Sequence, residues 1–510
     1  MPSRREFVRL PYMSLPLVPY PASATALDEP AFRLDTGAGV TGDETCATLL
    51  RRELEAVTGT TIGSDEGIRL AVATDGAPES YTLDASAHGV VVTGADPAGL
   101  FYGVQTLLQL VARDEAGWLI PAVRIADRPR FAYRGVMLDV ARHFFDVDTV
   151  CAWIDRAASL KANHLHLHLS DDQGWRIALP SRPELAERAS ATAIGADEGG
   201  WYTAADYARV VAHAACRHMT VVPELDMPGH THAVSLAYPA LAAEPVITDD
   251  VRAAADAFGG GLPRTGEPYR GLAVGFSSLR IGDDEVDRFV TDVFTDLAAL
   301  TPGPYLHLGG DEALGTDPAC YASFVARVTE IITGLGKTPV AWHEAGAADH
   351  LAAGTIGQYW GFTTPVDGSA ETTRRFVARG GRIILSPADA VYLDMKPDAD
   401  FPLGLTWANG PTSVRRAYEW EPSAVIDGLA EDEILGVEAP LWTETVRTAA
   451  DIDALAFPRI AAAAEAAWSP PTGASPERTW DSFRHRVGAQ GPRWAARGIR
   501  FHVSPEIPWA

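Results

Sequence analysis

Two adjacent carboxylates, Asp311 and Glu312, end the run HLGGDE that begins at His307. Residues 305–308 alternate apolar and aromatic groups like a buried strand, and the two glycines allow a sharp turn after it. Neighbouring side chains on an extended backbone point in different directions, so the two acids would act on different atoms of one ligand. The alternative is that Asp311 only caps the following helix, but the flanking glycines and His307 favour two separate catalytic roles.

Composition indicates a large, acidic, globular protein. The 510 residues are 47% hydrophobic, enough for two or three domains. The 67 acidic and 42 basic residues give a formal charge of −25, which argues against nucleic acid or an anionic membrane as a partner. Several of the 13 tryptophans stand near Gly, Asp or Glu rather than within apolar runs, as in proteins that stack indoles on sugars.

Cysteine spacing and the N-terminus give two further expectations. The four cysteines lie far apart without the spacing of a zinc site, so no metal or cofactor is predicted. Residues 3–7 resemble a twin-arginine export signal, but an arginine and four prolines interrupt the segment that follows. We therefore expect a cytoplasmic protein, with export as the alternative, and a first strand at 15–18.

The chain is predicted to hold two domains, residues 1–128 and 129–510. The first reads as a small, non-catalytic α/β domain with strands near 68–73, 81–84, 89–92 and 119–125, and with a helix that begins after Asp96. The polar run 127–130 marks the boundary.

From Tyr133 onward, strand-like and helical segments alternate with no sign of a hairpin. The eight strand-like runs lie near 134–140, 163–169, 220–225, 305–308, 339–342, 355–360, 382–385 and 434–438. This alternation predicts a (β/α)₈ TIM barrel, with an open doubly wound sheet as the alternative, and the segment 480–487 as a C-terminal helix that closes the barrel.

Polar and aromatic residues fall where these strands end, which is where such barrels place their active sites. The strand ends carry Asp139 to His143, Asp171 and Asp172, Asp226 to His230, Asp311 and Glu312, Trp342 to Glu344, Trp360, Tyr392 and Asp394, and Trp442 and Glu444. Each residue alone has a structural explanation, but together they predict one pocket rich in acids and indoles.

These motifs resemble glycoside hydrolase family 20, the β-N-acetylhexosaminidases. The similarity rests on LFYGVQTL at 100–107, YRGVMLDVAR at 133–142, the segment 166–175, the turn DMPGH at 226–230 and HLGGDE at 307–312. It covers nearly the whole chain and implies removal of a terminal β-linked GlcNAc or GalNAc from the non-reducing end of an oligosaccharide or glycoconjugate.

The resemblance implies a retaining mechanism in which the substrate's acetamido oxygen is the nucleophile. Glu312 would be the acid/base, with a pKa raised from about 4.3. Asp311 would stay ionised and accept the acetamido N–H. Asp171 and His230 would tune Glu312, and Tyr392 would bond the acetamido oxygen.

The resemblance also assigns substrate-binding residues. Arg134 and Glu444 would clamp the 3- and 4-hydroxyls, and Asp394 would reach the 4- or 6-hydroxyl. The indoles of Trp342, Trp360 and Trp442 would box the acetamide methyl, and that of Trp407 would lie under the sugar ring. His343 stands where many relatives have an acid, and its role is left open.

Two rival functions remain at this point. A metal-dependent hydrolase could use His164, His166 and His168, which alternation places on one strand face. A sugar-binding protein without catalysis is the other, although intact Asp311, Glu312 and Tyr392 argue against it.

Overall fold

The computed structural model describes residues 15–35, 38–64 and 67–510, which form two compact units. One unit contains the described residues up to Arg128 with Ser469–Arg497 and Pro505–Ala510, and the other contains Pro129–Trp468 with Gly498–Ser504. The export-like residues 3–7 lie outside the described part, so the cellular location stays a prediction. No helix among the described residues is long and apolar enough to cross a bilayer.

The first unit is built around a mixed sheet. Its strands are β1 (Ser23–Ala26), β2 (Phe32–Arg33), β3 (Gly39–Gly42), β4 (Gly67–Val72), β5 (Tyr81–Ser86), β6 (Gly89–Gly94), β7 (Ala112–Asp114), β8 (Gly117–Ile120) and β9 (Val123–Asp127). The main sheet has the order β1-β9-β5-β6-β4-β3, and a smaller one has the order β2-β8-β7. Helices α1 (Glu44–Thr58) and α2 (Pro97–Leu110) complete this part of the unit.

The local sequence explains α2 and corrects two expectations. The Asp96 side chain accepts a hydrogen bond from the Gly99 N–H at 2.7 Å, which caps the helix start. Residues 15–18 are not a strand, and the chain's first described strand is β1. The run predicted as one strand at 119–125 is two strands, because it is interrupted at Pro121, which lacks an N–H for a ladder.

The second unit contains a closed parallel barrel of eight strands among its described residues, which confirms the TIM-barrel prediction. In order around the barrel they are β10 (Tyr133–Asp139), β11 (His164–His168), β14 (Thr220–Glu224), β15 (Tyr305–His307), β16 (Thr338–Trp342), β17 (Ile356–Tyr359), β18 (Ile383–Leu385) and β19 (Ile434–Ala439). Each lies within two residues of its predicted bounds.

Helices follow or flank the barrel strands. They are α3 (Val147–Ser159), α4 (Glu184–Arg188), α5 (Ala204–Ala215), α6 (Val234–Ala237), α7 (Asp249–Phe258), α8 (Asp284–Leu300), α9 (Pro318–Gly334), α10 (Ser369–Ala378), α11 (Ala388–Val391), α12 (Val414–Tyr418), α13 (Ala449–Ala456) and α14 (Arg459–Trp468). The C-terminal helix α15 (Trp480–Ala496) groups with the first unit rather than closing the barrel as expected.

One short hairpin interrupts the strand-helix alternation, contrary to expectation. The strands β12 (Ser170–Asp171) and β13 (Gly174–Trp175) pair antiparallel directly after β11. Two residues on each side are too few to leave an alternating pattern in the sequence. The hairpin matters for the site because it carries Asp171.

Candidate active site

The adjacent acids lie where β15 ends, on a backbone that turns sharply. Gly309 and Gly310 have φ of 72° and 98°, and Glu312 itself has φ of 43°, a left-handed conformation that non-glycine residues rarely adopt. A Cβ on Gly309 would come within 1.7 Å of the Asp226 Oδ1. The turn therefore requires glycine at 309, and it presents Asp311 and Glu312 to different surroundings.

Asp311 is buried beside other acids. Burial raises the pKa of its carboxyl above the usual range, while the charge of His230 and a hydrogen bond with Asp226 act in the opposite direction. Its Oδ1 has no hydrogen-bond partner among the described residues. That oxygen is available to accept a hydrogen bond from a ligand.

Asp226, which the sequence places at a strand end of the predicted pocket without a role, is the neighbour of Asp311. Its Oδ1 accepts a hydrogen bond from the Gly310 N–H at 2.9 Å. Burial, and then the charge of Asp311, raise the pKa of Asp226 well above the usual range. Asp226 therefore holds the proton of this carboxyl pair and donates it in a hydrogen bond to Asp311, which favours the ionised form of Asp311.

Glu312 faces the His230–Asp171 pair, as expected. The His230 Nε2 lies 3.4 Å from the Glu312 Oε2 and 3.8 Å from the Asp311 Oδ2. On the other side of the ring, Nδ1 lies 3.3 Å from the Asp171 Oδ1. Burial opposes a charge on His230, but Asp171 and Asp311 raise its pKa well above the usual value. The Glu312 side chain remains 32% exposed.

Arg134 does not lie in this site, which corrects its predicted role. It is the second residue of β10 and so stands at the amino-terminal end of the barrel, away from the acids. Its Nε donates to the Lys161 carbonyl at 3.0 Å and its Nη1 to the Phe131 carbonyl at 3.0 Å. Its guanidinium also stacks on the Trp468 ring at 4.9 Å. Arg134 is therefore a packing residue.

Arg142, which follows the carboxyl end of β10, is the arginine of the site. Its Nη2 lies 2.8 Å from the Asp171 Oδ2, and its guanidinium lies 4.8 Å from the centre of the Trp442 ring. Burial opposes its charge, but Asp171 and Asp139 raise its pKa further. The barrel rule could have selected it, since position 134 begins a strand and position 142 follows one.

Four aromatic residues form an apolar cluster beside the acids. Trp342 and Trp442 lie 6.0 Å apart, and Tyr392 lies 6.3 Å from Trp442. Trp360 packs against this cluster, and both oxygens of Glu344 accept hydrogen bonds from its Nε1 at 3.0 Å. The structure thus brings together the three indoles predicted to box a methyl group. Burial raises the pKa of Tyr392 well above 10, so its hydroxyl stays protonated and can donate.

Trp407 lies at the rim of the cluster. It is 47% exposed and meets both Trp360 and Tyr392 edge to face, with ring centres 6.0 and 5.8 Å away. Its indole can therefore cover one side of a bound ring, as a wall at the mouth rather than a deep floor.

Asp394 and Glu444 supply two further carboxylates. The Asp394 Oδ1 accepts a long hydrogen bond from the Trp442 N–H at 3.4 Å. Burial and then the neighbouring Glu444 raise the pKa of Asp394 well above the usual range. Burial also raises the pKa of Glu444 to about 7, although Arg142 opposes the shift. Asp394 Oδ2 and Glu444 Oε2 have no hydrogen-bond partner within the described chain.

His343 packs behind the aromatic cluster. Its ring lies 5.3 Å from Tyr359 and 5.5 Å from Trp360. Burial lowers its pKa to about 4, so the ring is neutral at physiological pH. A cavity of about 710 Å³, lined by Glu312, Leu314, Trp360 and Trp407 among others, also reaches His343.

The three alternating histidines of β11 are buried, and their nitrogens bond other side chains. The His164 Nδ1 contacts the Asn163 Oδ1 at 2.6 Å. Both nitrogens of His166 and of His168 face carboxylates. These two rings therefore have no free lone pair for a metal ion, although donors of His166, Glu224 and His307 lie within 4.8 Å of one another.

The chain is similar over most of its length to one family of hydrolases. The description "Glycosyl hydrolase family 20, catalytic domain" matches residues 131–471, and "Glycosyl hydrolase family 20, domain 2" matches residues 14–128. A beta-N-acetylhexosaminidase of Cellulomonas fimi is 41% identical over 88% of this chain and 85% of its own length. A beta-hexosaminidase of Vibrio furnissii is 31% identical over 88% of this chain and 76% of its own length.

Two solved structures are similar to the chain in both fold and sequence. A family 20 beta-N-acetylglucosaminidase superposes with a TM-score of 0.90 and 59% identity over 98% of this chain and all (100%) of its own. A mutant Streptomyces plicatus beta-hexosaminidase in complex with the product GlcNAc gives 0.87 and 41% over 97% of this chain and 98% of its own.

Proposed function

The chain belongs to glycoside hydrolase family 20, the β-N-acetylhexosaminidases, and we propose that it is a retaining exo-enzyme that removes terminal β-linked GlcNAc or GalNAc by substrate-assisted catalysis. The observation that carries this proposal is a set of carboxylate oxygens beside the aromatic cluster. Asp311 Oδ1, Asp394 Oδ2 and Glu444 Oε2 are buried and lack a hydrogen-bond partner among the described residues. A ligand with one N–H, several hydroxyls and an apolar methyl group would satisfy all of them.

In the proposed first step, the acetamido oxygen of the substrate attacks the anomeric carbon. The bond from that carbon to the glycosidic oxygen breaks, and Glu312 gives its proton to the leaving oxygen. In the second step, water attacks the same carbon, Glu312 takes the water's proton, and the oxazolinium ring opens to restore the acetamide. Two displacements at one carbon give net retention of configuration.

Asp311 and the aromatic cluster support the acetamide as nucleophile. The carboxylate of Asp311 accepts the acetamido N–H and stabilises the positive charge that develops on nitrogen. Trp342, Trp360 and Trp442 enclose the methyl group, and the Tyr392 hydroxyl donates to the carbonyl oxygen. This holds the nucleophile close to the anomeric carbon, so that attack is a well-oriented intramolecular step.

Substrates without the acetamide test this mechanism directly. We expect hydrolysis of an aryl β-N-acetylglucosaminide with retained configuration by NMR, strong inhibition by a thiazoline analogue, and no turnover of the matching aryl β-glucoside. Efficient hydrolysis of the plain glucoside would overturn the proposal. Rates on GlcNAc and GalNAc aryl glycosides and on chitobiose would then define the preference for the sugar and its leaving group.

A chelator separates this mechanism from metal-dependent hydrolysis. The proposed steps use only side chains and the substrate, so activity should be unchanged by prolonged EDTA treatment. Loss of activity that added divalent metal restores would favour the metal-dependent alternative instead.

A further inference from the structure

A chain of alternating carboxylates and imidazoles runs through the barrel interior and ends at Glu312. It begins where the Tyr133 hydroxyl donates to the Glu438 Oε2 at 2.5 Å. From there the contacts pass in order through Glu438, His166, Glu224, His168, Asp171, His230 and Glu312. Only the last three members belong to the acid/base group expected from the sequence.

The geometry determines the protonation of the two inner imidazoles. The His166 Nδ1 lies 2.9 Å from the Glu438 Oε1, and its Nε2 lies 3.1 Å from the Glu224 Oε2. The His168 Nε2 lies 2.8 Å from the Asp171 Oδ2, and its Nδ1 makes a short contact with the Glu224 Oε2. Ionised carboxylates only accept hydrogen bonds, so this geometry favours a proton on both nitrogens of each ring and hence a positive charge. Arg142 also faces this group, with its Nη1 3.4 Å from the His168 Nε2 and its Nη2 2.8 Å from the Asp171 Oδ2, so its charge adds to that of His168 beside Asp171.

The pKa directions agree with these charges. Burial opposes a charge on either ring, but Glu438 and Glu224 raise the pKa of His166 to about 10. Glu224 and Asp171 raise the pKa of His168 to about 9. Burial would also raise the pKa of Glu224, yet the charges of His168 and other histidines hold it well below the usual range.

Glu224 joins the two halves of the active site. Through His168 it reaches Asp171 and the acid/base group. Its Oε1 also accepts a hydrogen bond from the Trp342 Nε1 at 2.9 Å, which holds one indole of the apolar cluster. It is fully buried, with 0% of its surface exposed.

The groups that face Glu224 come from three other barrel strands and from the end of its own strand β14. His166 and His168 approach from β11, and Trp342 approaches from β16. His307 of β15 also faces Glu224, with its Nδ1 3.1 Å from the Glu224 Oε1 and 3.0 Å from the Gly309 N, and burial lowers the pKa of its ring although Glu224 opposes that shift. Asp226 and Asp311 are the nearby acids that Glu224 influences electrostatically.

We propose that Glu224 is a positioning residue for the reaction, which fixes the charge of the Asp171–His230 pair through His168 and the orientation of Trp342 through its other oxygen. This role rests on the proposed function of Glu312 as acid/base. Glu224 is fully buried and contacts His168 and Trp342, so it couples the proton donor to the pocket that orients the nucleophile.

The direction in which Glu224→Gln should shift the pH dependence of activity follows from these contacts. Glutamine keeps an oxygen for Trp342 but removes the negative charge that holds protons on the two rings. His168 then becomes neutral, Asp171 loses a charged donor and draws the proton of His230 toward itself, and Glu312 faces less positive charge. The alkaline limb of the pH–rate profile should therefore move upward.

The experiment compares pH profiles of kcat/KM on an aryl β-N-acetylglucosaminide for the full chain and three variants. We expect Glu224→Gln and His168→Gln to lower kcat about tenfold or more and to move the alkaline limb upward by about half a pH unit. The matched control is His164→Gln, on the same strand and face, since the His164 ring bonds Asn163 and stacks on Tyr133 at the far end of the chain, distant from Glu224 and His168 in the order of contacts. Its profile should match the parent. Unmoved limbs in both test variants would overturn the proposal.

A spectroscopic measurement keeps the proposal testable if the variants fold poorly. In the ¹⁵N-histidine-labelled parent at pH 7.5, His168 should give the signals of a doubly protonated ring, and a neutral tautomer there would contradict the proposal. Failure of the proposed function is distinguishable, since it would appear as Glu312→Gln retaining the parent profile, whatever the variants at 224 and 168 show.

Discussion

Asp311 and Glu312 are neighbours in sequence but face different partners. The Asp311 side chain is 10% exposed and shares a hydrogen bond with Asp226, whereas the Glu312 side chain is 32% exposed and lies 3.4 Å from the His230 Nε2. In the proposed mechanism these different surroundings suit two different roles, with Asp311 accepting from the acetamide nitrogen and Glu312 acting on the leaving oxygen.

Replacing each acid by its amide should therefore give different dependence on the leaving group. Glu312→Gln should lose about 10³-fold in kcat on a poor leaving group such as chitobiose, and much less on a dinitrophenyl glycoside, which needs little protonation. Asp311→Asn should lose about 10²-fold or more on both. The measurement is a plot of log kcat against leaving-group pKa. Parallel losses for Glu312→Gln across that series would contradict its role as acid.

Arg142 rather than Arg134 should control substrate affinity. Arg142→Ala removes the cation beside Asp171 and Glu444, and we expect kcat/KM to fall about 100-fold, or ~3 kcal/mol, with a raised KM. Arg134→Met should instead lower the melting temperature with little change in KM, because its partners are backbone carbonyls at the other barrel end. A larger increase in KM for Arg134→Met than for Arg142→Ala would instead support the predicted role of Arg134 in binding the substrate hydroxyls.

At the scale of elements, the barrel strands were predictable because their apolar runs are bounded by turn residues and their ends carry acids and indoles. The roles within them were harder to predict. Arg134 lies at the start of β10 and Arg142 follows its end, so only Arg142 is on the side of the barrel that holds the site. Motif similarity alone does not distinguish the two arginines. The hydrogen bond between Asp226 and Asp311 and the bridge from Glu224 to Trp342 depend on which side chains meet inside the closed barrel, and this information is absent from local sequence patterns.

The turn after β15 gives a prediction at this scale. Gly309→Ala should lower kcat/KM by about 100-fold or more, because φ of 72° strains alanine and its Cβ would meet Asp226. The matched control is Gly334→Ala at the end of α9, where a Cβ meets nothing within 4 Å. That variant should keep full activity. A Gly309→Ala enzyme with parental kinetics would show that the turn tolerates displacement of Asp226.

At the scale of the whole molecule, the sequence boundary near 128 corresponds to a change of unit, but the chain returns to the first unit after the barrel. Ser469–Arg497 groups with the N-terminal residues. The Arg486 Nη1 donates to the Leu17 carbonyl at 2.6 Å and its guanidinium lies 5.1 Å from the centre of the Tyr20 ring. No local sequence pattern links residues this far apart, and the sequence alone therefore predicts α15 as part of the barrel.

Because α15 groups with the first unit, we predict that substitutions in α15 lower the stability of that unit. Val487 is fully buried on that helix, and Val487→Asp should destabilise the first unit by about 3 kcal/mol or more. Hydrogen exchange should then show lost protection in peptides from residues 81–94 while peptides from the barrel strands keep theirs. Ala495→Gln, at an exposed position of the same helix, is the control and should change neither. Earlier loss of protection in the barrel peptides would mean that α15 stabilises the barrel instead. The reason is that amide protection is lost in whichever cooperative unit the substitution destabilises.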